Sequence, residues 1–495
     1  MQESLNRRLS FIGAILMALM LLAIYRLVSL QFGVNTAYFA ETALTEYRYK
    51  VTIHPPRGEI YDHGGVLLAT NSVKYEIGLS PVLIYERDAT AEALSGVMGI
   101  SKEELLADMS SQNPYVMLVR RASASMGQAV LALGLDGVSV SPITERFYPH
   151  GSLASHVLGF VSYDNTGYYG VEGFYNNVLT GNVSVSDQSR IPFEATGGEG
   201  WKRGSTLYLT LDSEIQYLAE NTLAQAVHDT NAEGGTVIIL DPKTGDVLAM
   251  ANLPAYDPNL FYSQPADIFD NAAISEQYEP GSVAKVLTMA IALEDKVVQP
   301  DSTYEDTEVL EVGGIKIYNW DRQGHGVTTM TDLLGLSLNV GAAKLSIAVG
   351  PLDFYDGLDA FGLGKLTDID LQAEARGSVR RPGQADWYES DLATNAFGQG
   401  MAVTPIQIVA AVSAIANDGL IMKPHMVTKR VDADGLVTPF SPTTLGRAVS
   451  EQTAQELTQM LAEALTREAS QALTNGPLNW DCAGGRTARC QAWAG

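Results

Sequence analysis

Ser282 and Lys285, in the stretch Tyr278-Glu-Pro-Gly-Ser-Val-Ala-Lys285, are the residues whose types and spacing most directly imply chemistry. Positions i and i+3 share one helix face, with Cβ atoms ~5–6 Å apart. A lysine amine placed there can reach the serine hydroxyl and take its proton, which is how a nucleophile and its base are arranged. Pro280 and Gly281 mark a helix start. That sets Ser282 near the positive end of the helix dipole, where an anionic intermediate is stabilised. The implied chemistry is acyl transfer. A serine three residues before a lysine arises about once by chance in a chain of this length, so the pair requires partners elsewhere.

The elements that must position the pair follow from the pattern along the chain. With 495 residues, 46% apolar and 18% charged, the sequence predicts two or three globular domains with ample core. Phe11 to Ile24 are almost unbroken apolar residues, continuing through Leu30, with Arg7 and Arg8 in front. This predicts a transmembrane anchor over 10–31, a cytoplasmic tail over 1–9 and an exported remainder. A cleaved signal peptide is the competing reading, and the lack of a small-x-small site after the apolar run argues for the anchor. A net charge of −25 excludes nucleic acid as a partner, since no basic stripe offsets it. The two cysteines, Cys482 and Cys490, provide no disulfide framework, and the seven histidines lack ligand spacing. Neither a metal nor a cofactor is expected.

Two regions separate in the exported part. Residues 32–205 read as short strands, turns and a few helices, a β-rich region that includes the strand run Tyr47 to Ile53. Residues 206–495 alternate strands and helices. Thr236–Leu240 and Val247–Met250 flank Asp241-Pro-Lys-Thr-Gly-Asp246, a hairpin in which Pro sets φ and Gly supplies the left-handed position. Helical patterns follow over Val283–Leu293, Met330–Ala348 and Pro405–Asn417. The class predicted is α+β, an antiparallel sheet packed on helices.

Downstream of Ser282, Ser337-Leu-Asn339 lies inside a helical pattern, and Gly485-Arg-Thr487 lies on an expected strand near the end. A second SxN, Ser111-Gln-Asn113, precedes the nucleophile and reads as a surface loop. SxxK, then SxN, then a basic-Thr element in that order resembles the three active-site motifs of penicillin-binding proteins and serine β-lactamases. The resemblance to class B penicillin-binding proteins, the monofunctional peptidoglycan D,D-transpeptidases, extends over nearly the whole chain. Arg57-Gly-Glu-Ile-Tyr-Asp62-His-Gly-Gly65-Val-Leu-Leu-Ala69 is similar to the family's pedestal signature, with His63 in place of its usual Arg. Arg146-Phe-Tyr-Pro through His156-Val-Leu-Gly159, then Gly170-Val-Glu172, resembles a second pedestal element. Leu209-Thr-Leu-Asp212, Ile215-Gln216, Asp241 to Gly245, Asp257-Pro-Asn259, Phe397-Gly-Gln-Gly400 and Thr404-Pro405 look like family sequence in the catalytic part.

The resemblance implies a single-pass protein of the bacterial cell membrane, with its N-terminus cytoplasmic and a penicillin-binding transpeptidase domain outside. It implies that Ser282 attacks the carbonyl between two terminal D-alanines of a stem peptide, with Lys285 as a neutral base. Ser337 would relay the proton to the leaving amine, and Asn339 would hold Lys285 and the substrate amide. Arg486 and Thr487 would bind the substrate carboxylate, and the backbone N–H groups of Ser282 and Arg489 would form the oxyanion hole. A second peptide's amine then completes a cross-link, and β-lactams acylate the same serine. Arg57, Gly58, Asp62, Gly65 and Glu172 would be structural in the pedestal, and Phe397 to Gly400 would shape backbone near the cleft. The implied partners are lipid-linked precursor glycan, a membrane glycan polymerase and other division or elongation proteins.

The third motif departs from the family's KTG, because Gly485-Arg-Thr-Ala-Arg-Cys-Gln491 stands there. Arg keeps the cation and can grip a carboxylate bidentately, whereas the Ala488 Cβ would crowd the acyl group. The sequence also stops at Gly495, ahead of the strands and helix expected to complete the sheet. A one-base deletion in codon 488 would account for both features, restoring Arg-Thr-Gly-Thr, and a degenerate or truncated chain is the other reading. Two rival functions stay open. One is a catalytically impaired scaffold of the division or elongation complex; the other is a β-lactam-hydrolysing or sensing relative, against which the pedestal elements count.

Overall fold

The computed structural model describes residues 13–26, 28, 48–53, 55–181, 184–189 and 202–475. The chain divides into two compact units, Met1–Pro56 with Thr180–Arg203, and Arg57–Leu179 with Gly204–Gly495. In the first, residues 13–26 are helical, and Arg48–Ile53 pairs antiparallel with Ser184–Ser189. Among the described residues no helix is long and apolar enough to cross a membrane. The remainder of the expected anchor lies outside the described residues.

The second unit is α+β. Its pedestal part supplies strands β1 (Ile60–Tyr61), β2 (Leu67–Leu79), β3 (Val116–Ala122) and β4 (Val138–Phe147). After them come β5 (Thr206–Leu209), α1 (Ser213–Thr230), β6 (Gly235–Leu240), β7 (Val247–Leu253) and α2 (Ala284–Glu294). Then follow α3 (Met330–Gly335), α4 (Asn339–Val349), α5 (Pro405–Ala416), β8 (Val427–Val431), β9 (Val437–Pro439) and α6 (Glu451–Asn475). One sheet runs β9-β8-β5-β1-β2-β3, with β4 also paired to β2 from Thr70↔Phe147 to Leu79↔Val138. Its pairs are antiparallel except β1 with β5. Strands from the pedestal and from the region after residue 205 thus share a single hydrogen-bonded ladder, and Ile60, Leu68, Leu158 and Val171 pack with Leu207, Leu209, Met250 and Val427 in one core.

The hairpin β6–β7 forms as its turn chemistry dictates: Gly245 takes φ +82° and its N–H bonds Asp241 O at 2.8 Å. The hairpin packs between α1 and α5. Each of these helices starts on its sequence signal. Asp212 caps α1 by accepting from Glu214 N and Ile215 N, and Thr404-Pro405 with Gln407 makes a capping box with proline at the first helical position. Helix α2 is buried on all sides from Ala284 to Leu293, as an apolar-all-round helix must be. It is surrounded by Leu333, Leu338, Ala342, Phe354, Phe397 and Leu457, and each fully buried leucine contributes about 1.5–3 kcal/mol.

One sequence expectation fails instructively. The pattern over Met330–Ala348 predicts a single helix, yet the chain breaks into α3 and α4, with Ser337 between them at φ +54°. Leu338 N bonds Leu333 O at 3.0 Å, which closes α3 with a tight turn. Apolar periodicity continues through the break because Leu333, Leu338 and Ala342 all face the same core, so the pattern hides it. A left-handed non-glycine residue costs of order 1 kcal/mol, and here it turns the Ser337 carbonyl and hydroxyl toward α2.

Candidate functional site

Pro280 enters at φ −67° and Gly281 at φ +63°, so Ser282 stands in the first turn of the helix that continues into α2. Ser282 is exposed, while Lys285, one turn further on, is 3% exposed. The Lys285 amine donates to Ser282 Oγ at 3.2 Å, to Ser337 Oγ at 2.9 Å and to the Ser337 carbonyl at 2.6 Å. Ser337 Oγ in turn donates to Ser282 Oγ at 3.1 Å. The three polar atoms close a triangle, and the carbonyl gives the ammonium form its third acceptor.

Burial of Lys285 lowers its pKa from 10.5 to about 7. Burial is the cause, with no neighbouring cation contributing. At neutral pH the amine is therefore about half deprotonated, on the order of 10³-fold more than an ordinary lysine.

Asn339, at the start of α4, donates Nδ2 to the Tyr318 carbonyl at 3.0 Å. The Lys285 contact expected of Asn339 is made by Ser337 instead. Trp320, 73% exposed, donates Nε1 to Leu336 O at 3.0 Å, next to Ser337. Sequence reasoning missed Tyr318 and Trp320, since one acts through its backbone and the other stands in a turn without pattern. Arg486, Thr487 and Arg489 lie outside the described residues.

Behind Ser282, Gly398 takes φ +78° and its carbonyl accepts from Gly281 N at 3.1 Å. A Cβ on Gly398 would stand 2.2 Å from Gly281 O, so only glycine allows the two segments to meet. Gly400 N bonds Glu279 Oε1 at 2.8 Å, and Tyr278 bridges Val403. Phe397-Gly-Gln-Gly400 is thus the backbone buttress of the turn that carries Ser282. A groove of about 1530 Å³ opens beside this turn, lined by residues of β6 and α5 together with Tyr278, Gly281, Asp267 and Ile268.

The pedestal residues sit elsewhere. Glu172, fully buried, accepts from Arg57 Nη2 at 2.7 Å and from Arg146 Nε at 2.6 Å. Burial would raise its pKa, but the two guanidinium groups hold it below the usual carboxylate value. Arg57 also donates to Asn165 O and Asn176 Oδ1, both at 2.9 Å. Arg146, present in the pedestal motif but assigned no role from sequence, is the second anchor of the triad. Asp62 accepts from Val66 N at 2.7 Å within its own turn and from Ser213 Oγ at 2.7 Å at the start of α1. Gly58 lies against Ser205, whose carbonyl oxygen would be 1.8 Å from an added Cβ, and Gly65 takes φ +89°. Ser111 and Asn113 lie in the turn before β3, as a surface loop should, with Asn113 N bonded to Ser111 Oγ.

Comparison with known proteins identifies the family of the chain. A family model described as penicillin binding protein transpeptidase domain matches residues 235–484, and one described as penicillin-binding protein dimerisation domain matches residues 52–191. The chain is 33% identical to stage V sporulation protein D of Bacillus subtilis, covering 84% of this chain and 67% of that protein. It is 30% identical to peptidoglycan D,D-transpeptidase FtsI of Escherichia coli, covering 75% of this chain and 64% of that protein. Among solved structures, penicillin-binding protein 3 of Mycobacterium tuberculosis, complexed with aztreonam, superposes with a TM-score of 0.64 at 29% identity over 84% of this chain and 76% of that one.

Proposed function

Since this chain belongs to the class B penicillin-binding proteins, with a transpeptidase and a dimerisation domain, we propose that it cross-links peptidoglycan stem peptides through an acyl-enzyme on Ser282. The observation that carries the proposal is the triangle of Ser282, Lys285 and Ser337, with its buried amine at a pKa of about 7. Neutral Lys285 takes the proton of Ser282 Oγ, directly or through Ser337, as Oγ bonds to the carbonyl carbon between the terminal D-alanines. The tetrahedral oxyanion is received by the N–H groups of Ser282 and Arg489. When the C–N bond breaks, the proton on Lys285 passes through Ser337 Oγ to the departing D-alanine amine. The amine of a second peptide then attacks the ester, gives up its proton along the same path and releases Ser282.

Asn339 supports this site by fixing the loop at Tyr318 and orienting the substrate amide, while Arg486 and Thr487 take the terminal carboxylate. On the same reading, the apolar run over 10–31 anchors the chain in the bacterial cell membrane, where a glycan polymerase of division or elongation supplies the strand. β-Lactams, which mimic the donor, acylate Ser282. The test is labelling of the full chain with a fluorescent penicillin beside Ser282→Ala. Label lost in the variant supports the reading; absence of label on folded wild-type protein refutes it in favour of a scaffold.

A further inference from the structure

Phe160, Tyr163, Tyr168, Phe261 and Tyr262 form an unbroken array of aromatic rings beside the buried Tyr256 and Phe269. Centroids are 6.2 Å apart for Tyr262 and Tyr163, 5.2 Å for Tyr163 and Phe261, 4.7 Å for Phe261 and Phe160, and 5.8 Å for Phe160 and Tyr168. The inner rings are a small core. The outer ones are not, since Tyr163, Tyr168 and Tyr262 are 51%, 42% and 60% exposed. Single exposed apolar residues need no explanation, but a contiguous exposed patch marks a binding surface. The patch is also held in place: the Arg121 guanidinium lies 3.7 Å over the Tyr163 ring and is itself paired with Glu145.

The chemistry around the rings narrows the ligand. Aromatic faces carry partial negative charge and attract C–H bonds polarised by neighbouring oxygens. Asp164, Asp267 and Asp270 are exposed around the array, and carboxylates accept strongly from hydroxyl and amide N–H donors while repelling anions. A ligand with C–H faces and a rim of uncharged donors is a saccharide. We propose that this array is a platform for the uncharged glycan of the substrate, an assignment that rests on the transpeptidase reading. Ile268, which packs against the inner rings, also lines the groove that Tyr278 and Gly281 line next to Ser282 in the chain.

The experiment titrates the full chain with a soluble β-1,4-linked N-acetylglucosamine oligomer, reading binding by calorimetry, and measures penicillin acylation of Ser282 on the same samples. Saturable binding is expected, weakened at least ~10-fold in Tyr163→Ala/Tyr262→Ala and several-fold in Asp164→Asn. It should be retained in Tyr163→Phe/Tyr262→Phe, which keeps the rings. Acylation should be unchanged throughout, and because the replaced side chains are largely exposed, thermal unfolding should be near that of the wild type. No saturable binding to the wild type, or equal binding by the alanine variant, overturns the platform. Failed acylation of the wild type strikes instead at the transpeptidase reading, so the two failures are distinguishable.

Discussion

Protonating Lys285 should switch acylation off in a window that its burial fixes. The pKa falls from 10.5 to about 7 because the amine is desolvated inside α2, and only the neutral form can take the Ser282 proton. The acylation rate by a fluorescent penicillin should therefore rise about tenfold per pH unit up to ~7 and level off above it, with the rate at pH 5 about 100-fold below the plateau. A rate that climbs tenfold per unit through pH 9 without levelling would place the amine near its ordinary value and refute the reasoning. Stability carries the same signature with a defined sign. Between about 7 and 10.5 the unfolded chain binds a proton that the folded chain does not, so stability rises with pH across that window and is lowest below it. At ~1.4 kcal/mol per unit the penalty below pH 7 has an upper bound of roughly 5 kcal/mol. Lys285→Met, which fills the same space without the charge, should abolish acylation and raise the urea midpoint most at pH 6.5, by roughly half as much at pH 9, where about 2 kcal/mol of the penalty remains, and hardly at all above pH ~10.5.

Three further outcomes follow from other contacts. Gly398→Ala should lower the acylation rate at least ~10-fold, because its Cβ forces Gly281 away from a contact where φ is +78°; a rate within twofold of wild type would show that the buttress does not set the position of Ser282. Glu172→Ala should cost about 3–5 kcal/mol in denaturant unfolding, since it leaves the Arg57 and Arg146 guanidinium groups buried without their shared carboxylate. The carboxyl of Asp62 is opposed by burial but is held below 3.8 by its bonds to Ser213 and Val66. Its contribution is therefore present above pH ~4 and lost as pH falls further; Asp62→Asn should lower stability at pH 7 and flatten the acid limb, as read by thermal melts from pH 7 to 3.

The turn chemistry and the meeting of Ser282 with Lys285 were legible in the sequence because each is local. Pro280-Gly281, Asp212, Thr404-Pro405-Ile-Gln407 and Gly245 act on their nearest neighbours, and each does what its type allows. The SxxK spacing alone brought Ser282 and Lys285 together. What eluded the sequence is long-range or backbone-borne. Nothing local shows that Ser337 leaves the helix, that its carbonyl faces Lys285, or that Asn339 meets Tyr318 O. Arg146 was visible as a motif residue, yet its partnership with Glu172 becomes evident only when the segments around residues 57, 146 and 172 converge in space.

β5 lies between β1 and β8, and Asp62 holds Ser213 at the head of α1. The backbone bonds of β1–β5 and the Asp62–Ser213 contact together tie the segment of Ile60–Tyr61 to α1 and the hairpin packed on it. The two segments are joined by backbone and side-chain bonds at the same place, through β1 with β5 and Asp62 with Ser213, rather than by a connecting loop alone.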